Sequence, residues 1–137
     1  MQPSTSVTAA TSAAPATNGE LTALATLCKA SSDPLRLQVL RVLCEDSFGV
    51  SELCSIFGIR QPALSHHLKV LAGAGLVATR REGNSIFYRR SSLGQQAGLS
   101  SLQNRIFECV DRIELPPATA QRLARLYRKR EENSRNF

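Results

Sequence analysis

Tryptophan is absent from this chain of 137 residues, methionine occurs once, and histidine occurs only at the adjacent positions His66 and His67. Neighbouring histidines on a helix point in different directions and make a poor metal clamp. Four cysteines are present (Cys28, Cys44, Cys54 and Cys109), but no two form a CxxC pair and their spacing is too wide for a compact disulfide framework. Free thiols in a reducing compartment are therefore expected. No apolar run approaches membrane-spanning length, and the first residues lack the basic start and apolar stretch of a secretory signal. The expectation is a cytoplasmic protein with no membrane partner. Paired carboxylates, a nucleophile–histidine arrangement outside one helix and a phosphate-binding glycine loop are all missing, which argues against an enzyme. Acid is scarce too: 11 Asp and Glu stand against 17 Lys and Arg, for a net charge of +6. Such a balance points to nucleic acid before an acidic protein.

The first eighteen residues are nearly all Ser, Thr, Ala and Pro, too poor in apolar surface to offset chain entropy, so residues 1–18 are read as a disordered arm. From there apolar residues recur every three or four positions. The spacing predicts a helix from about Glu20 to Ala30, capped by Asn18 or Thr17 and carrying Leu21, Leu24 and Cys28. Ser32-Asp33-Pro34 starts a second helix whose stripe is Leu37, Leu40 and Cys44. Ser51 is expected to cap a short third helix that Gly58 ends, with Leu53, Ile56 and Phe57 turned inward. A fourth helix opens at Gln61-Pro62, buries Leu64, Leu68 and Leu71, and closes at the glycines after Ala72. Two strands follow, Leu76–Arg81 and Ile86–Arg90, joined by a turn from Glu82 to Ser85. A long helix from about Leu93 to Ile113 carries Leu99, Leu102, Ile106, Cys109 and Ile113 as a heptad-like seam. Pro116-Pro117 break it, and a last helix from about Ala118 places Leu123, Leu126 and Tyr127 on one side.

Charge is not spread evenly over these elements. Between Arg60 and Arg90 lie six basic residues (Arg60, Lys69, Arg80, Arg81, Arg89 and Arg90) and one acid, Glu82. A short helix, a tight turn and a second helix from Ser51 to Leu71 form a helix-turn-helix, in which the first helix props the second for entry into a major groove. Gln61, Ser65, His66 and Lys69 line the second helix's polar face, and Gln, Ser and Lys are side chains that read base edges. Arg60 beside them, and Arg80, Arg81, Asn84 and Arg89 on the hairpin, are candidate phosphate or minor-groove contacts.

Ser32–Leu40 (SDPLRLQVL), Val50–Cys54 (VSELC), Gln61–Leu71 (QPALSHHLKVL), Ala74–Val77 (AGLV), Arg81–Gly83 and Phe87-Tyr88 together resemble the ArsR/SmtB family of bacterial winged-helix repressors, over roughly residues 20–115. The resemblance implies a bacterial homodimer of α-α-α-α-β-β-α order whose first and last helices build the interface. Leu21, Leu24, Cys28, Leu99, Leu102, Ile106, Cys109 and Ile113 are its interface candidates. It also implies binding to palindromic double-stranded operator DNA, with recognition helices about 34 Å apart, and release by an effector. His67 matches the family's histidine beside the core, a structural role.

The family's sensing sites carry over less completely. One arsenic or cadmium site places a Cys-x-Cys pair after Glu-Leu in the third helix; here Glu52-Leu53 is followed by Cys54, Ser55 and Ile56, so the second thiolate is missing. The zinc site in the last family helix has no counterpart, since no histidine lies between Leu93 and Ile113 and Asp111 comes too late. Family members that sense oxidants or reactive sulfur pair a cysteine near position 109 with one three residues before Cys44, where this chain has Arg41. Sensing through Cys28 and Cys109 is the reading adopted. Arsenite or another soft metal ion held by Cys54 with Cys28 or Cys44, a metabolite effector, and a protein-binding module stay open beside it.

The sequence is thus read as mainly α with a small two-stranded β-wing, a winged helix-turn-helix with an added C-terminal helix. Residues 1–18 are the arm, 19–115 the DNA-binding and dimerisation domain, and 116–137 a basic C-terminal helix or tail. That tail is expected to be a solvated helix face, with DNA-backbone contact or cover over an effector pocket as alternatives.

Overall fold

The computed structural model describes residues 18–91 and 97–136. Helix α1 (Asn18–Ala30) leads into α2 (Pro34–Val42), a two-residue strand β1 (Phe48–Gly49), α3 (Val50–Phe57) and α4 (Gln61–Gly73). The hairpin β2 (Val77–Glu82) and β3 (Ser85–Arg90) follows, then α5 (Ala97–Asp111) and α6 (Pro117–Arg135). The expected arm precedes the described residues apart from Asn18, which opens α1. The anticipated start of the seam helix, from Leu93, likewise lies outside them as far as residue 96.

Local chemistry sets the helix ends. Asp33 caps α2, its Oδ1 accepting from the Leu35 and Arg36 amides at 2.8 and 3.1 Å, and Pro34 follows in the first turn. Helix α3 begins two residues earlier than anticipated: Gly49, not Ser51, is the cap, and the Glu52 carboxylate reaches back to accept from the Gly49 amide at 2.9 Å. Gly58 closes α3 at φ 65°, a left-handed conformation open to glycine and costly for other residues. Helix α2 ends at Val42, so Cys44 lies beyond it and is not part of its apolar stripe, a correction to the periodic reading. Helix α5 ends at Asp111, leaving Ile113 in the turn after it.

The sheet has three strands in the order β1-β3-β2, all antiparallel. The third, unforeseen strand is β1, which pairs Phe48 with Tyr88 and Gly49 with Phe87. Gly83 supplies a positive φ of 61° at the hairpin tip. In the core, Phe48, Leu40, Leu53, Ile56, Leu64, Leu68, Leu71 and Leu76 are fully buried. Each such leucine contributes about 1.5–3 kcal/mol of burial. Three of them, Leu64, Leu68 and Leu71, anchor α4 by one stripe, which fixes what its other side shows.

Helix α6 is docked, not free. It packs along α3, with Thr119 buried and Leu123, Leu126 and Tyr127 against the core. Tyr127 meets Phe48 edge to face at 6.0 Å. The Arg130 guanidinium lies 4.5 Å over the Phe48 ring, donates to the Ser47 carbonyl at 3.2 Å and pairs with Glu52 at 2.9 Å.

Candidate nucleic-acid interface

With its leucines buried, α4 exposes Gln61, His66 and Lys69 and half-buries Ser65. Arg60 precedes it as an exposed cap residue whose side chain makes no capping bond. No acid sits in the first turn of α4, so its positive end faces outward uncompensated by an own carboxylate. The four groove-reading candidates thus share one side of one helix, held by α3 behind it.

His67, next along α4, turns the other way. Its Nδ1 stands 3.2 Å from Arg36 Nη1, and Arg36 also donates to the Ala30 carbonyl at 2.8 Å and the Lys29 carbonyl at 3.0 Å. A guanidinium can only donate, so Nδ1 accepts and the ring proton sits on Nε2. Arg36 therefore ties the end of α1 to the recognition helix, which is the structural role assigned to His67.

The hairpin splits its arginines between two faces. The register opposes Arg80 to Phe87, Arg89 to Ala78, and Arg81 to Ile86. Opposed residues share a face, so Arg80 and Arg89 lie on one side and Arg81 on the other. Arg80 stacks 5.7 Å from the Phe87 ring centre and pairs with Glu82 at 2.8 Å in an exposed ion pair. Arg81, Asn84 and Arg89 are exposed. Arg90, counted above in the basic cluster, is turned inward. It lies 4.1 Å from the Phe107 ring centre, donates to the Leu40 carbonyl at 3.3 Å and grips Asp111 at 2.7 and 3.1 Å. The wing is thereby tied to α5.

The seam candidates are unevenly covered. Leu21, Leu24 and Ile113 are 57%, 39% and 60% exposed, while Leu99, Leu102 and Ile106 are half-buried. Cys28 and Cys109 are both exposed thiols. Cys44 and Cys54 are half-covered, and desolvation raises both of their pKa values, keeping them as neutral thiols. Arg41 donates to Cys44 Sγ at 3.4 Å and to the Ile113 carbonyl at 3.1 Å. Among the described residues of one chain, no three His, Cys, Asp or Glu side chains come close enough to hold a metal ion. Cys54, Cys28 and Cys44 lie on α3, on α1 and in the segment after α2, respectively. No helix among the described residues is long and apolar enough to cross a membrane.

Sequence reasoning missed Arg36, Arg90, Glu52 and Arg130, all polar residues that join elements. A signal existed for one of them: Arg90 alternates with Ile86 and Tyr88 along β3, in register with buried Val77.

The family model for "Bacterial regulatory protein, arsR family" matches residues 33–79, from the cap of α2 into β2. A biofilm growth-associated repressor from Agrobacterium fabrum is 45% identical over 75 residues, 55% of this chain and 64% of its own. The transcriptional activator HlyU from Vibrio cholerae is 41% identical over 76 residues, 56% of this chain and 70% of its own. The solved HlyU structure superposes with a TM-score of 0.51 at 34% identity, covering 66% of this chain and 97% of that one. A homodimeric winged helix-turn-helix DNA-binding domain from Mycobacterium bovis superposes with a TM-score of 0.56 at 25% identity, covering 72% of this chain and 91% of that one. The chain spans less than two thirds of the length of the biofilm growth-associated repressors it matches. These relatives regulate transcription and are not enzymes. The matched core, its order of elements and the identity to HlyU place this chain in the arsR family of bacterial regulatory proteins.

Proposed function

We propose that this protein is a homodimeric repressor that binds a palindromic operator and releases it when Cys28 and Cys109 are oxidised. The observation that carries the DNA reading is the outward face of α4, where Gln61, Ser65, His66 and Lys69 stand opposite a fully buried leucine row. Exposed Arg60 before α4, and Arg80, Arg81, Asn84 and Arg89 on the hairpin after it, supply backbone contacts. Dimerisation is supported by the uncovered Leu21, Leu24 and Ile113, and by the homodimeric state of the Mycobacterium bovis domain. Burying these three against a second copy also places Cys28 on the interface helix α1 and Cys109 on α5.

Cys28 and Cys109 are the pair open to an oxidant because both are exposed, whereas Cys44 and Cys54 are half-covered. Loss of two electrons and two protons to a peroxide or polysulfide joins two thiols as a disulfide. A bond across the seam biases the separation of the recognition helices, and the difference in DNA affinity between the two dimer states sets the response.

Fluorescence anisotropy on the gene's own upstream duplex and on a scrambled one tests this reading, first reduced and then after hydrogen peroxide. Selective binding that weakens at least tenfold on oxidation, and does not weaken in the Cys28→Ser/Cys109→Ser variant, is expected. Selective binding indifferent to oxidant would remove the thiol step and keep the repressor. Salt-sensitive binding with no sequence selectivity would remove the repressor in favour of an acidic protein partner.

A further inference from the structure

Helix α6 lies outside the matched residues 33–79, yet it is fixed against the helix-turn-helix at both ends of α3. Arg130 holds Glu52 in the first turn of α3. Arg122 meets its far end: its guanidinium lies so close to Gly58 that a Cβ there would stand 2.8 Å from Arg122 Nη1. Helix α6 therefore runs antiparallel to α3, and Arg122 sits beside the three-residue turn, Gly58 to Arg60, that leads into α4.

Arg125 and Lys129 follow Arg122 at steps of three and four, which puts the three cations in one row along α6. The row flanks the inward side formed by Leu123, Leu126, Tyr127 and Arg130. Arg125 and Lys129 are exposed and Arg122 half-covered. Among the described residues, Arg130 and Arg135 of the same helix have carboxylate partners in Glu52 and Glu131, whereas these three pair with no acid. This row of cations without an acid partner begins at Arg122, beside Gly58 in the turn that leads to Arg60 and α4.

We propose that Arg122, Arg125 and Lys129 form an auxiliary phosphate-binding row that follows the DNA backbone flanking each half-site, a proposal that rests on the operator-binding reading above. The occupant is duplex DNA, because charge complementarity and the start of the row beside the helix-turn-helix turn both lead to it. Its contribution is to affinity and footprint length, not to sequence choice, since phosphates are alike along the duplex.

The test compares two duplexes with the same two half-sites, one ending at them and one extended by about 10 bp on each side, close to one helical turn. The salt slope of log K is measured for each with the full chain. Each phosphate neutralised adds about −0.9 to the slope, so the extended duplex is expected to be steeper by about 2–3 per protomer. Arg125→Ala/Lys129→Ala touches only exposed, unpaired side chains and so leaves the fold alone. It is expected to lose about 2 of that increment per protomer on the extended duplex and nothing on the short one, and Arg125→Lys alone is expected to keep it. Equal slopes on both duplexes, or a double variant indistinguishable from the parent chain on the extended one, would overturn the proposal. Failure of the unaltered chain to select the short duplex would overturn the operator reading first, and this proposal with it.

Discussion

Arg90, at the end of the second wing strand, holds Asp111 at the end of α5 through two nitrogen–oxygen hydrogen bonds of 2.7 and 3.1 Å. The Arg90 side chain is 15% exposed and that of Asp111 40%, so the pair lies between the surface and buried cases. Exposed pairs contribute up to about 1 kcal/mol, and breaking a buried one costs about 3–5 kcal/mol. Arg90→Met is expected to lower unfolding free energy by about 1–2 kcal/mol, measured by urea denaturation with an unchanged m-value. Its DNA salt slope is expected to stay that of the parent chain. A reduced slope would add Arg90 to the DNA face.

The exposed cations behave in the opposite way. Lys69→Ala, Arg81→Ala and Arg89→Ala each remove a charge that the fold does not use, so melting temperature is expected to hold. The salt slope of operator binding is expected to fall by about 0.9 for each phosphate left unneutralised per protomer. Because Arg81 and Arg89 lie on opposite faces of the hairpin, the wing must present its edge to DNA if both substitutions change the slope. A change from only one of them identifies the face that is used.

Asp33 links stability to pH. Accepting the Arg36 amide holds its carboxyl below the usual range, with Arg36 charge and the Leu35 amide adding and burial opposing. A carboxyl with a lowered folded pKa stabilises the fold above its unfolded pKa of about 3.9, and that stability fades as pH falls through the folded value. Asp33→Ala is expected to cost about 1 kcal/mol at neutral pH, a difference that shrinks in acid. Asp33→Asn keeps the cap and loses the pH dependence. Parallel denaturation curves of parent and Asp33→Ala from pH 7 to pH 3 would contradict this.

Leu21 and Leu24 stand largely in water in a single chain. Leu21→Glu/Leu24→Glu is therefore expected to leave the chain folded by circular dichroism while shifting it to monomer in sedimentation, because a second copy would have to desolvate both carboxylates. A dimer undisturbed by the double variant would move the interface elsewhere.

What the sequence made legible was the periodic part of the fold. Leu64, Leu68 and Leu71 place α4 and its outward face without further information, since burial of one stripe dictates exposure of the other. Strand β1 was hidden because two residues carry no period; it exists through its partner Tyr88 and through burial of Phe48. The cap of α3 was misplaced by favouring a hydroxyl, when the Glu52 carboxylate reaching back to Gly49 sets that end. Charge counts alone do not separate surface arginines from Arg36, Arg90 and Arg130, which are consumed in joining elements. Which guanidinium turns inward depends on carbonyls and rings brought near by folding, and local spacing does not encode them.

If two copies present two α4 faces to one palindrome, binding depends on the phase of the half-sites. Anisotropy titrations would compare the native spacing with a duplex carrying about 5 bp inserted between half-sites, half a helical turn. The insertion is expected to weaken binding to the level of a duplex carrying one half-site. Equal affinity for the native and inserted duplexes would contradict the paired-face reading, since only copies that bind independently can ignore the phase.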